Sequence, residues 1–295
     1  MWGLVLGMAV VFVTKGANML AMKKVESKQG SSILQALIFT MLFSAAQLVF
    51  TLLMPPYKPL AISLDAILYP TAYAALYIVA YVLCMKAYSE GSVSMTNAIW
   101  SFNTVVVIAY GVCFWGETLS FWQILGLLLF FAGLFFYSRS SYAVSEVKKK
   151  VTAKWLILTI AATVTIGAAT TFTKIFMLKH GDMGKEFLVY YAIAATLISG
   201  VICLCMGAKE TVKTVADKHV LVQTLIAGFT CVLWNFVYVT YLAVYPSAVF
   251  LPLYSVVSML GILAFGVVLL KEKISRNAII ASVLSLASIL FLNLQ

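Results

Sequence analysis

Ten stretches of about twenty mainly apolar residues follow one another along this chain, joined by short connections. A helix of about 20 such residues crosses the hydrocarbon core of a bilayer. A water-soluble fold has no interior large enough to hide so many of them. The runs fall near 2–22, 32–54, 66–86, 92–115, 119–138, 155–178, 186–207, 220–244, 247–270 and 275–294. Composition agrees: 63% of the 295 residues are hydrophobic and 10% charged, where soluble domains average roughly 45–50% and 25%. The predicted fold class is therefore an all-α integral membrane protein with ten transmembrane helices.

The net charge of +10 reads as an orientation signal and not as a nucleic-acid footprint. Connections after odd-numbered runs carry fifteen of the twenty Lys and Arg, those after even-numbered runs carry Lys58, Lys179 and Lys185, and Lys15 and Lys174 lie inside runs. Basic loops stay cytoplasmic, so both termini are expected outside a plasma (inner) membrane crossed many times. The first run has no basic segment ahead of it and lysines behind it, the reverse of a signal peptide. Lys148, Lys149 and Lys150 mark a central cytoplasmic linker. The five cysteines, Cys84, Cys113, Cys203, Cys205 and Cys231, all fall in apolar runs, and His180 and His219 read as loop residues. No metal constellation or cofactor is expected, and no nucleophilic triad or phosphate-cradling Gly loop marks an enzyme.

The two halves of the chain repeat. Gly111, Val112, Glu117 and Ser120 lie over Gly266, Val267, Glu272 and Ser275 at an offset of 155, and Gly16, Ala17 and Lys23 lie over Gly167, Ala168 and Lys174 at an offset of 151. Five runs per half is an odd number, so the second half enters the membrane inverted. Inverted repeats build many secondary transporters, with the substrate at their interface near the midplane. The expected organisation is a first five-helix repeat over 1–140, a basic linker over 141–154 and a second five-helix repeat over 155–295.

Gly16-Ala17-Asn18 with Lys23 in the first run, Lys86-Ala87-Tyr88 closing the third, and Gly116-Glu117-Thr118-Leu119 between the fourth and fifth resemble the drug/metabolite transporter superfamily, especially its ten-span EamA-type members. Lys271-Glu272-Lys273-Ile274 repeats the last motif in the second half. The chain departs from the usual pattern at Lys15, where relatives often have Trp, at Asn103, where many have Pro, and in the sparsely basic loop 55–65. The resemblance implies a transporter. Small multidrug-resistance relatives use a membrane-embedded Glu in the first span, and this chain has none, which argues against proton-driven export of lipophilic cations.

Candidate substrate residues come from polar and aromatic side chains inside the runs. Lys15 lies about seven residues from the end of its run, roughly 10 Å deep, with no intramembrane acid to pair with it, since all ten acids lie in loops or at helix ends. It faces either a central cavity, attracting a carboxylate or phosphate, or snorkels to the headgroups. Lys174 is shallower and reads mainly as an interfacial anchor. Tyr69, Tyr73, Tyr77 and Tyr81 recur every fourth residue, and Trp234, Tyr238, Tyr241 and Tyr245 share a face of the eighth run. Tyr69, Tyr88 and Tyr245 suit the membrane interface. Asn97, Trp100, Ser101 and Asn103 form a polar patch in the fourth run, and Pro252 loosens the ninth beside Tyr254, Ser255 and Ser258. Glu117 and Glu272 sit at helix joins, where a carboxylate favours the following N-terminus.

The expected function is alternating-access transport of a small polar metabolite, an amino acid or other carboxylate-bearing solute. The expected site is Lys15, Asn18, Tyr77, Tyr81, Asn97, Trp100, Asn103, Trp234, Asn235, Tyr238, Tyr254 and Ser258. Expected partners are that solute and the lipid bilayer, with no nucleic acid, in a monomer or homodimer. Two alternatives stand: transport of quaternary ammonium or aromatic cations through an aromatic cage, and a membrane scaffold or lipid-handling protein without an aqueous substrate.

Overall fold

A computed structural model describes residues 2–29, 33–55, 60, 62–90, 96, 99–100, 102–140, 152–181, 183–270, 276–292 and 294. Among these the secondary structure is helical: α1 Trp2–Gln29, α2 Ile33–Leu53, α3 Leu64–Glu90, α4 Asn103–Phe114, α5 Phe121–Ser140, α6 Ala153–Lys179, α7 Gly184–Val215, α8 Lys218–Val244, α9 Ser247–Leu270 and α10 Arg276–Leu292. Six helical segments are long and apolar enough to cross a membrane, within α2, α3 and α6 to α9. Four shorter apolar segments, Gly3–Asn18, Asn103–Phe114, Phe121–Phe136 and Ile279–Leu292, account for α1, α4, α5 and α10. The run expected over 92–115 is thus described as helix only from Asn103 to Phe114 beyond its first, largely undescribed stretch.

Local chemistry sets the helix ends. Thr152 caps α6, its hydroxyl accepting from Trp155 N at 3.2 Å. Asp217 caps α8, accepting from His219 N at 2.8 Å and Val220 N at 3.4 Å. His219 therefore lies in the first turn of α8 and not in a loop. Ser120 and Gln123 exchange side-chain and backbone hydrogen bonds of 3.2 and 3.0 Å at the entry to α5, a reciprocal cap that satisfies two otherwise orphaned N–H groups. Gly116, at φ 68°, turns the chain out of α4; only a residue without Cβ takes that conformation freely. The run expected over 186–207 ends at a kink, because Gly207 has non-helical dihedrals and α7 continues beyond it to Val215. Within the apolar helices, Thr159, Thr163, Thr170 and Thr171 each return their hydroxyl to the carbonyl one turn back. Such bonds satisfy a hydroxyl where no water is at hand.

The helix pairings have an internal regularity. α1 packs against α8 and α9, while α6 packs against α3 and α4; α2 meets α8, while α7 meets α3. α2 with α7, α4 with α9, and α5 with α10 map onto themselves, so these main pairings persist when each helix is exchanged for the one five places on, whereas smaller contacts such as α8 with α9 and α5 with α9 have no comparable counterpart among the described residues. Small residues allow the closest approaches: a Cβ on Gly261 of α9 would lie 2.2 Å from the Phe12 carbonyl oxygen of α1.

Candidate functional site

A cavity of about 140 Å³ lies among α1, α2, α3, α7 and α8. Three of these helices contribute residues one turn apart, so that one stripe of each faces it. From α3 come Tyr73, Tyr77 and Tyr81, with successive ring centroids 6.1 and 6.2 Å apart and nearly parallel. From α2 come Phe39, Phe43 and Gln47, and from α8 come Cys231, Trp234 and Asn235. Tyr191 of α7 stands edge-on to Tyr73 at 5.0 Å and to Tyr77 at 6.1 Å. Thr40 and Asn18 complete the lining. Of the aromatic stripes, Tyr73, Tyr77 and Tyr81 on α3 and Trp234 on α8 line this cavity, whereas Tyr69, Tyr238, Tyr241 and Tyr245 are not in its lining.

Polar side chains are tied to α8. Asn18 Nδ2 donates to the Ala227 carbonyl at 2.9 Å and to Thr230 Oγ1 at 3.3 Å. Gln47 Nε2 donates to Cys231 Sγ at 2.6 Å, and Asn235 Nδ2 to the same sulfur at 3.3 Å. Cys231, expected only as a packed thiol, is thus the common acceptor that orients two cavity amides.

Lys15 projects from α1 onto the face of Trp234, with Tyr254 at 5.3 Å; these two rings are parallel at 6.2 Å. Its ammonium takes part in no hydrogen bond or ion pair among the described residues, and no carboxylate lines the cavity. Tyr238 joins the same aromatic group through Tyr254 at 5.1 Å. Ser258 donates to the Tyr254 carbonyl within α9 at 2.7 Å and is outside the cavity lining. Trp100 packs with Tyr73 and Tyr77 around Ala80, Ile166 and Ala169. Asn103 does not reach the cavity; its Nδ2 donates to the Trp100 carbonyl at 2.8 Å, at the start of α4. Asn97 lies outside the described residues, as do Ser101 and Glu272.

Of the expected residues, then, Asn18, Tyr77, Tyr81, Trp234 and Asn235 line the cavity, and Lys15, Tyr254 and Tyr238 adjoin it through Trp234. Sequence reasoning missed α2 altogether. Gln47, an amide inside an apolar run, carried the same signal that singled out Asn97 and Asn103, since a buried amide demands partners. Tyr191 had no such periodic mark.

Lys174 is also a finding against expectation: it is 2% exposed and is no interfacial anchor. Its Nζ donates to the carbonyls of Leu242 at 2.7 Å and Tyr245 at 2.9 Å, the last turn of α8. Glu117 Oε1 stands 3.9 Å away. The Glu117 carboxylate accepts from Ser247 N at 3.1 Å and from Ser247 Oγ at 3.1 Å, where α9 begins. One cation thus satisfies a helix C-terminus and one anion the next helix's N-terminus, each matching the local dipole.

The cavity held between helices is lined by aromatic rings and amides, with no nucleophile–base pair among the described residues. Residues 1–139 match the model of the EamA-like transporter family. Over those residues, just under half of its length, the chain is similar to that family. That family is one of membrane transporters of the drug/metabolite type and not of enzymes. No curated protein matches this chain. A protein of known crystal structure superposes on this chain with a TM-score of 0.67, covering 99% of this chain and 97% of its own at 13% identity; that likeness shows a shared fold.

Proposed function

We propose that this chain is a transporter that moves a small carboxylate-bearing solute, an amino acid or other organic acid, across the plasma membrane by alternating access. Ten spans in two inverted five-helix halves, 1–140 and 155–295, rock about the cavity. The exchange symmetry of the main helix pairings supports that arrangement, since inverted repeats place their substrate between the halves. The lysine distribution puts both termini outside.

The observation that carries the substrate class is the Lys15 ammonium, held on two aromatic faces with no anion beside it. A charge away from water is costly unless paired, and a substrate carboxylate or phosphate supplies the missing partner. The cavity, at about 140 Å³, is below the ~300–1,000 Å³ of drug-sized sites, which favours a small solute. The aromatic-cage alternative is disfavoured by the same contact, because the protein's own cation already occupies the Trp234 face.

The test is thermal unfolding of the purified protein against propionate, lactate, alanine, ethylamine and tetramethylammonium. A ligand at 100 times its Kd adds about 2.7 kcal/mol, a rise of a few degrees in Tm. Carboxylates are expected to stabilise the native protein and not Lys15→Gln. Stabilisation by tetramethylammonium alone, equal in Lys15→Gln, overturns the reading and favours the aromatic cage.

A further inference from the structure

The amides around the cavity are arranged with one end fixed and the other unused. Ala227, Cys231 and Asn235 recur every fourth residue and so share one face of α8. On that face the Ala227 carbonyl fixes the Asn18 nitrogen, and the Cys231 sulfur fixes the nitrogens of Gln47 and Asn235. With each nitrogen committed, each oxygen is left over. Gln47 Oε1 is fully buried with no hydrogen-bond partner among the described residues, on a residue only 3% exposed. Neither Asn18 Oδ1, on a residue 8% exposed, nor Asn235 Oδ1 accepts a hydrogen bond among the described residues. All three residues line the same cavity.

A buried acceptor without a donor, such as Gln47 Oε1, costs free energy, and three residues with uncommitted amide oxygens lining one cavity suit a group with several N–H donors. Asn18 lies one turn from Lys15 on α1, so this acceptor cluster and the lysine share the site. A ligand ammonium brought there alone is repelled by Lys15; one that carries its own carboxylate is not.

We infer that Asn18, Gln47 and Asn235 form an ammonium subsite, through their three amide oxygens, for a zwitterionic substrate whose carboxylate meets Lys15. This rests on the carboxylate reading above and narrows it: the substrate carries a primary amine and is discriminated from the matching hydroxy acid. Tyr73, Tyr77 and Tyr191 supply the wall beside Gln47, with π faces that tolerate a nearby cation.

The experiment compares amino and hydroxy acids of equal size in the full-length protein: glycine with glycolate, L-alanine with L-lactate, L-phenylalanine with 3-phenyllactate. Kd is taken from the concentration dependence of thermal unfolding. The amine member of at least one pair is expected to bind about tenfold or more tightly, the scale of hydrogen bonds to a charged group. In Gln47→Leu and in Asn235→Leu that ratio is expected to fall toward one. The ratio is the readout, and the unliganded Tm of each variant shows that it folds; Asn18→Leu is avoided because Asn18 also ties α1 to α8. Equal Kd values within every pair, a preference that survives in both variants, or no binding by any amine member overturns the subsite. Failure of the carboxylate reading is distinct: it shows as unchanged lactate and alanine affinity in Lys15→Gln, whatever the alanine-to-lactate ratio.

Discussion

Two lysines inside this bundle are provided for in opposite ways. Lys174 gives two of its protons to carbonyls at the end of α8, with the Glu117 carboxylate 3.9 Å off. Lys15 rests on Trp234 near Tyr254 and meets neither acceptor nor acid among the described residues. The first charge is complete without a ligand, and its partners are the ends of α8 and α9, so it holds a helix join. The second has no such partner among the described residues, and in the proposed function a substrate carboxylate supplies it. The contrast also separates two kinds of buried polar group: those at the clamp have matched donors and acceptors, and those at the cavity do not.

Removing one member of the completed cluster should break the protein most. Lys174→Met strands the Glu117 carboxylate and two helix-end carbonyls, and loss of one partner of a buried pair costs about 3–5 kcal/mol. Thermal unfolding of the unliganded protein reads this directly; an unchanged Tm would erase the difference between the two lysines. Glu117→Gln keeps an acceptor for Ser247 but loses its charge, so a smaller loss of about 1.5–3 kcal/mol is expected in the same measurement. At the other end of the scale, Lys15→Met should leave unliganded stability within about 1 kcal/mol or raise it, because replacing an unpaired charge by an apolar chain relieves desolvation. The same variant should lose its stabilisation by carboxylates. If instead it unfolds like Lys174→Met, Lys15 is structural and the comparison fails.

Much of the site was legible because membrane helices make polar residues conspicuous. Asn18, Trp234 and Asn235 stood out against apolar neighbours, and the Tyr77–Tyr81 spacing marked a face. What periodicity does not reveal is the partner helix. Asn103, as polar as Asn18, bonds locally to the Trp100 carbonyl, whereas Asn18 reaches across 209 residues to Ala227. Gln47 passed unremarked because its significance lies in Cys231, a residue on another helix.

The sequence by itself determined that the chain is helical and membrane-embedded, since apolar runs of this length have no other way to satisfy their backbone in lipid. It also determined which side chains had no cheap place among lipids. Only the tertiary structure decided what became of them. Lys15 and Lys174 are equally out of place in an apolar run, and which one finds acceptors depends on where a distant helix ends. At Lys174 the terminus of α8 presents unpaired carbonyls; at Lys15 the wall of α8 offers only the face of Trp234. Helix ends expose hydrogen-bonding backbone and helix walls do not, and the meeting of a given side chain with one or the other is fixed by packing.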